Sequence, residues 1–171
     1  LLLTEARLVT VFDPNLELAN LFDTLVGGRR KRVSKQDSST KEELIQLFSD
    51  ALTKRGIAEK VQRDIRIKSK VLDRTLVFPF AFQNGHMNVI EPVTFDANKE
   101  HNINRACQLA IEGNDLWQQE QVKLNVFASF KLSEQDNTIS IRNLLDKYDV
   151  TLRTIDELDD LINEVAHTST Q

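Results

Sequence analysis

Four things are scarce in this 171-residue chain: it has 1 Cys, 3 Pro, 5 Gly, and among aromatics only 1 Trp and 1 Tyr beside 9 Phe. One cysteine cannot close an internal disulfide, which excludes a disulfide-stapled secreted scaffold. Low Gly and Pro exclude collagen-like and low-complexity chains. No apolar run approaches the roughly 18–20 residues of a membrane span. Leu1-Leu2-Leu3 passes directly into Thr4 and Glu5, without the basic lead-in or cleavage site of a signal peptide. The expected location is therefore cytoplasmic, with no membrane association. The chain opens without Met, as a piece of a longer protein would.

The composition is otherwise that of a globular protein: 40% apolar and 28% charged residues, net charge −4, a size that suits a single domain spanning 1–171. The charge is segregated. Residues 29–74 carry 14 basic against 7 acidic side chains, while the flanking segments are acidic, at −3 for 1–28 and −8 for 75–171. Such segregation steers a polyanion locally, or complements a partner of opposite polarity.

Glu5 to Phe12 alternates as a strand, and Asp13-Pro14 reads as a helix start before the stripe Leu18, Leu21, Phe22, Leu25 and Val26. Residues 29–39 have no hydrophobic period and read as a mobile basic loop. Thr40 with Glu43 makes a capping box for a helix with Leu44, Ile45, Leu47, Phe48, Ala51 and Leu52 on its core face, stopped by Gly56. Val61 to Lys70 reads as an exposed strand near a sheet edge.

The strongest local signal is Asn84-Gly85 between two apolar runs, a β-hairpin. A two-residue turn there sets Phe82 against Met87, Phe80 against Val89, Phe78 against Glu91 and Leu76 against Val93, all on one face. Pro79 and Pro92 lack an N–H and require an edge or a bulge. Asp96 or Asn98 then caps a helix with Ile103, Ala106, Cys107, Ala110 and Ile111 inward, ended at Gly113. Val122–Phe130 is another strand. A short helix around Ile141–Lys147 follows, then a last one opened by a Thr154…Glu157 box, with Leu158, Leu161, Ile162 and Val165 apolar.

The fold class is thus α/β in the mixed α+β sense, a central mixed sheet with a hairpin flanked by helices. Its core, 40–130, runs α-β-β-β-α-β, followed by a helical extension over 131–171. That order is similar to the restriction-endonuclease-like core of the PD-(D/E)xK superfamily. The 80–95 stretch, Phe-Ala-Phe-Gln-Asn-Gly-His-Met-Asn-Val-Ile-Glu-Pro-Val-Thr-Phe, also resembles uncharacterised proteins of bacterial prophages and defence islands. The superfamily resemblance implies a nuclease with two carboxylates on Mg²⁺ and an acid-x-Lys on the third strand. That strand offers Glu91-Pro92-Val93, with Val in the lysine position, so the motif is not intact. A shifted reading draws on Asp64 and Lys68 with Glu91.

Glu91 has three readings. Pro92 bulges the strand and turns the carboxylate to water, or Glu91 pairs in the interior with Arg66 or Lys68, or it is a surviving metal ligand. His86, His101 and His167 lie far apart, without the spacing of a metal site, and read as surface or turn histidines. Cys107 reads as a buried inert thiol, and Trp117 as a cap on the core. Glycine-rich phosphate loops are lacking. Arg29, Arg30, Lys31, Arg32 and Lys35 form the dense basic cluster, either a solvated loop or an arm for phosphates or an acidic protein.

The expected function is a non-catalytic interaction protein of a prophage or host-defence system, binding a protein or nucleic-acid partner and needing no cofactor. The alternatives are a PD-(D/E)xK-like nuclease, intact with Mg²⁺ or degenerate, and an accessory subunit of a larger enzyme. Oligomerisation is compatible with each.

Overall fold

The computed structural model describes residues 40–130 and 135–167, the side chains of 135–137 excepted. All of them belong to one compact unit, Asp37–Gln171. The strand and helix expected over 5–26 and the basic cluster Arg29–Lys35 lie outside the described residues.

The elements are α1 (Lys41–Arg55), β1 (Gln62–Ser69), β2 (Arg74–Asn84), β3 (His86–Phe95), α2 (Lys99–Glu120), β4 (Val122–Phe130), α3 (Gln135–Asp146), β5 (Thr151–Thr154) and α4 (Leu158–Ala166). They make an α/β fold around one mixed sheet, in the expected α-β-β-β-α-β order through β4. The five strands lie in sequence order, β1-β2-β3-β4-β5. β1, β2 and β3 pair antiparallel. β4 and β5 add in parallel, each after a helical crossover.

Helices cover both faces, so there are two cores. α2 and α3 close one face over Phe78, Val89, Val93, Phe95 and Val126, contributing Leu109, Leu116, Ile141 and Leu145. α1 and α4 close the other over Phe80, Phe82, Ile90 and Phe127, contributing Leu44, Phe48, Leu52, Leu161 and Val165. Phe48 anchors the second core, its ring centroid 4.8 Å from that of Phe80 and 6.1 Å from that of Phe127.

The capping box at α1 forms as expected. Glu43 N–H donates to the Thr40 hydroxyl and Thr40 N–H to the Glu43 carboxylate, while Gly56 ends the helix at φ 67°. Among the described residues β1 is an edge strand, with most side chains exposed. At the other end of the fold, Thr154 and Glu157 form their box on a 3₁₀ turn leading into α4. The short strand β5 before it has no counterpart in the sequence reading, because four residues are too few for a visible alternation.

Two expectations are corrected. The hairpin register is shifted by one residue. Asn84 pairs directly with His86, and Gly85 alone turns the chain at φ 67°. A two-residue turn requires positive φ at both positions, and Asn84 does not adopt it. Phe80 therefore pairs with Ile90, and Phe82 with Asn88. The apolar run of β2 also changes sides at Pro79: Leu76 and Phe78 join the core under α2, Phe80 and Phe82 the core under α1. Opposite Pro79 in the β1 register, Asp64 adopts φ 53° and interrupts the ladder.

The second correction concerns α2. It runs through Gly113 to Gln121, whose left-handed φ of 52° ends it, and Asn98 rather than Asp96 caps its start. Its buried stripe is Asn102, Ala106, Leu109, Ala110, Gly113 and Leu116, leaving Ile103, Cys107 and Ile111 exposed. Gly113 is a packing glycine, since a Cβ there would run into Val150 Cγ2. The polar residues Asn102, Glu112 and Asp115 hold inward positions, which hid the true phase of the stripe. Asn102 accepts from the Asp96 amide and donates to its carbonyl. Asp115 accepts from the Ser69 hydroxyl at 2.5 Å, fastening the end of β1 to α2.

Candidate functional site: a strand fork around a buried carboxylate

Pairing between β2 and β3 begins at the Gly85 turn and stops at Phe80–Ile90. Pro79 and Pro92 lie just beyond this point, where a missing N–H removes ladder bonds. The strands then part. The Arg74–Phe78 half of β2 stays paired with β1, and the Glu91–Phe95 half of β3 with β4. This fork is the place for a site, because ladder hydrogen bonds no longer fill the space between two central strands.

Glu91 stands at the start of the fork. It is 7% exposed, which overturns the outward-facing reading. Its partners come from helices on opposite sides of the sheet. Lys41 Nζ of α1 donates to Glu91 Oε1 at 2.9 Å, and Arg105 Nη2 of α2 to the same oxygen at 3.2 Å. The interior-pair reading is right in kind, but the cations are not Arg66 or Lys68, both of which are exposed on the edge strand. Burial pushes the Glu91 carboxyl above its ordinary value of 4.5, Lys41 and Arg105 pull it back, and Glu112 adds to the rise.

The Glu91–Arg105 pair divides two cavities. One, of about 480 Å³, is bounded by Thr40, Lys41, Glu91, Pro92, His101 and Arg105 among others. The other, of about 300 Å³, lies on the β2 side and includes Arg74, Gln108 and Glu112 with Glu91 and Arg105. Glu112 is buried and accepts from Arg74 Nη2 at 2.5 Å and from Gln108 Nε2 at 2.8 Å. His101 sits one helical turn from Arg105, with Nδ1 2.9 Å from Asp96 Oδ2.

The structure does not gather the three residues of the shifted nuclease reading. Asp64 is exposed on β1 at the sheet edge, with β2 between it and β3. Lys68 is exposed on the same edge strand, 3.9 Å from Asp73. Glu91 alone of the three lies in the fork. Among the described residues, no group of three or more His, Cys, Asp or Glu is placed to hold a metal.

Lys41, Arg105, Glu112 and Arg74 were not singled out from sequence. Two of them carried a usable signal: Glu112 and Arg105 fall on or beside the buried stripe of α2, where charge requires a partner. His86 is exposed and meets the partly buried Trp117 edge-on, with centroids 5.1 Å apart. Trp117 thus ties the hairpin tip to α2.

No protein-family model matches the chain, and none of the curated proteins matches it. No helix among the described residues is long and apolar enough to cross a membrane.

Proposed function

We propose that this chain is a non-catalytic interaction module that engages a nucleic-acid backbone through the basic edge of its sheet, in the prophage or host-defence setting its sequence resembles. The observation that carries the reading is the exposed edge strand β1. Arg66 and Lys68 are exposed there, Lys70 is exposed on the turn that follows, and the neighbouring Val77, paired with Arg66, is 50% exposed. Arg63 is committed elsewhere, donating to Ser49 and lying 5.0 Å from the Phe80 ring centroid. A cationic strip along the sheet edge, with the basic cluster Arg29–Lys35 in the same chain, suits sequence-independent phosphate contacts. Two features favour binding over metal-dependent cleavage. Both charge partners of Glu91 are side-chain cations, and residue 93, where the acid-x-Lys motif has its lysine, is Val.

The test is fluorescence anisotropy with duplex DNA and RNA over a salt series. Two variants are compared with the parent: Arg66→Gln/Lys68→Gln/Lys70→Gln, and Arg29→Gln/Arg30→Gln/Lys31→Gln/Arg32→Gln. Each should weaken binding and flatten the log–log salt slope by about 0.9 per lost duplex phosphate contact. The substitutions at the exposed Arg66, Lys68 and Lys70 should leave stability within about 0.5 kcal/mol. No binding by the parent, or an unchanged slope in both variants, rejects nucleic acid and turns the reading to an acidic protein surface.

The second reading, a nuclease, is favoured by Glu91 standing in the fork with a lysine amine 2.9 Å away. It requires Glu91 to exchange its cations for Mg²⁺ or Mn²⁺. Thermal stabilisation by either ion that disappears in Glu91→Gln supports it, and no shift in the parent removes it.

A further inference from the structure

The larger fork cavity sets two cations against one carboxylate. Lys41 and Arg105 each give Glu91 one hydrogen bond, and both fall on the same oxygen, Oε1. An ammonium has three donors and a guanidinium five, so most of their donor capacity is directed elsewhere. Both side chains bound the cavity and are partly exposed to solvent, at 45% and 30%. His101 stands at the same cavity, one turn along α2 from Arg105, its Nδ1 occupied by Asp96 and its other ring nitrogen not engaged by any described hydrogen bond. The two cations come from α1 and α2, on opposite faces of the sheet, and only the fork lets both reach one point.

Glu91 serves this arrangement as a spacer. Without it, two like charges would be held close together in a partly buried space; with it, they stay near each other and the cavity keeps a net positive charge. A planar arginine fork and a lysine point charge, meeting at Glu91 beside a cavity of about 480 Å³, match the oxygens of a tetrahedral dianion. The smaller cavity does not share this property, since Arg74 and Arg105 there are balanced by Glu91 and Glu112.

We propose that the larger fork cavity is a binding site for a phosphate group, held by Lys41 and Arg105 with His101 at its rim and with no metal ion. The site is separate from the β1 edge and does not depend on the function proposed for that edge. The phosphate group has two possible sources, a nucleic acid or a small phosphorylated compound, and the shared chemistry is the phosphoryl oxygens.

The experiment is calorimetric titration of the full chain with inorganic phosphate at constant ionic strength. It is repeated with a 5′-phosphorylated oligonucleotide and its unphosphorylated counterpart. Lys41→Gln is the main variant, because Arg105 remains to hold Glu91; Arg105→Gln and His101→Gln follow. Phosphate affinity should fall about tenfold or more in Lys41→Gln and in Arg105→Gln, the loss of one charge-assisted contact, and less in His101→Gln. The Arg66→Gln/Lys68→Gln/Lys70→Gln variant should bind inorganic phosphate as the parent does. Competition between phosphate and the 5′-phosphorylated oligonucleotide assigns the site to nucleic acid; phosphate binding without competition assigns it to a small phosphorylated compound. Either supports the site. No phosphate binding by the parent, equal binding in Lys41→Gln, or loss of binding in the β1 variant overturns it.

Discussion

The two ends of the β2–β3 pair contain the same strands and follow opposite rules. Toward the hairpin tip the ladder is continuous from Asn84–His86 to Phe80–Ile90, and the side chains facing α1 and α4 are Phe80, Phe82 and Ile90. Past the Phe80–Ile90 pair the ladder is gone, and Glu91, Arg105, Glu112 and Arg74 occupy the space between strand and helix. The closed half is held by area removed from water, which is non-directional and large. The forked half keeps Leu76, Phe78, Val93 and Phe95 in the core under α2, and the charge-assisted bonds in the gap between its strands are directional and contribute little net stability. A site can stand in the gap because the apolar cores on the two faces of the sheet carry the fold.

The largest test of that contrast is in the closed half. Phe80 is fully buried against Phe48, and Phe80→Ala should cost about 3–5 kcal/mol in denaturant unfolding. A loss no larger than that of a fork substitution would mean the two halves are held alike.

Gly113→Ala comes next. α2 forms one wall of both cavities, and its place is fixed by the close approach of Gly113 to Val150. Adding a methyl group where Val150 Cγ2 already lies should cost about 1–3 kcal/mol by overpacking. Gly113→Ala/Val150→Ala should recover part of the loss, and failure to do so would place the strain elsewhere.

The sequence-legible part of the fold follows the same division. The α1 capping box, the edge character of β1 and the strand Val122–Phe130 rest on residues within one element, and each is found where local chemistry puts it. The hairpin register was misread because Asn-Gly chemistry does not say whether one residue or two makes the turn, and a single residue moves every cross-strand partner. The α2 face was misread because Ile103, Cys107 and Ile111 outweighed Asn102, Glu112 and Asp115 in a hydrophobic count. Glu91 was legible as a polar residue in an apolar hairpin. Its partners were not: Lys41 lies 50 positions away on a helix of the opposite layer, and no local pattern encodes that encounter.

In the fork, Arg105→Ala leaves Glu91 buried with Lys41 as its remaining described partner. Removing one member of a fully buried pair costs about 3–5 kcal/mol, and an exposed pair is worth about 1 or less. Lys41 is half exposed and able to follow the carboxylate, so about 1–2 kcal/mol is expected in urea unfolding. Phe80→Ala and Arg105→Ala should combine additively, since one lies on the α1 side and the other on the α2 side of the sheet. A coupling above about 0.5 kcal/mol would join what the comparison separates.

The smallest effect is read from pH, and it sets the fork carboxylate against one outside it. Glu157 sits on the 3₁₀ turn before α4 and takes a bidentate pair from Arg142, at 3.0 and 2.9 Å. Those bonds, with help from Thr154, lower its carboxyl to about 2 despite partial burial. Its stabilisation is therefore present above the ordinary value of 4.5 and is lost as pH falls from there toward about 2. Both partners are about a third exposed, so solvent screening holds the contribution to about 1 kcal/mol or less. Glu91 has the opposite sign. Its folded-state value is raised, so the folded protein binds that proton at a pH where the unfolded chain has released it, and acidification toward 4.5 relieves a cost. In stability measured against pH, Glu157→Gln should lower stability above 4.5 by about 1 kcal/mol or less and flatten the loss below it. Glu91→Gln should alter only the region above 4.5. Equal responses from the two variants would show that burial in the fork does not distinguish its carboxylate from one held in solvent.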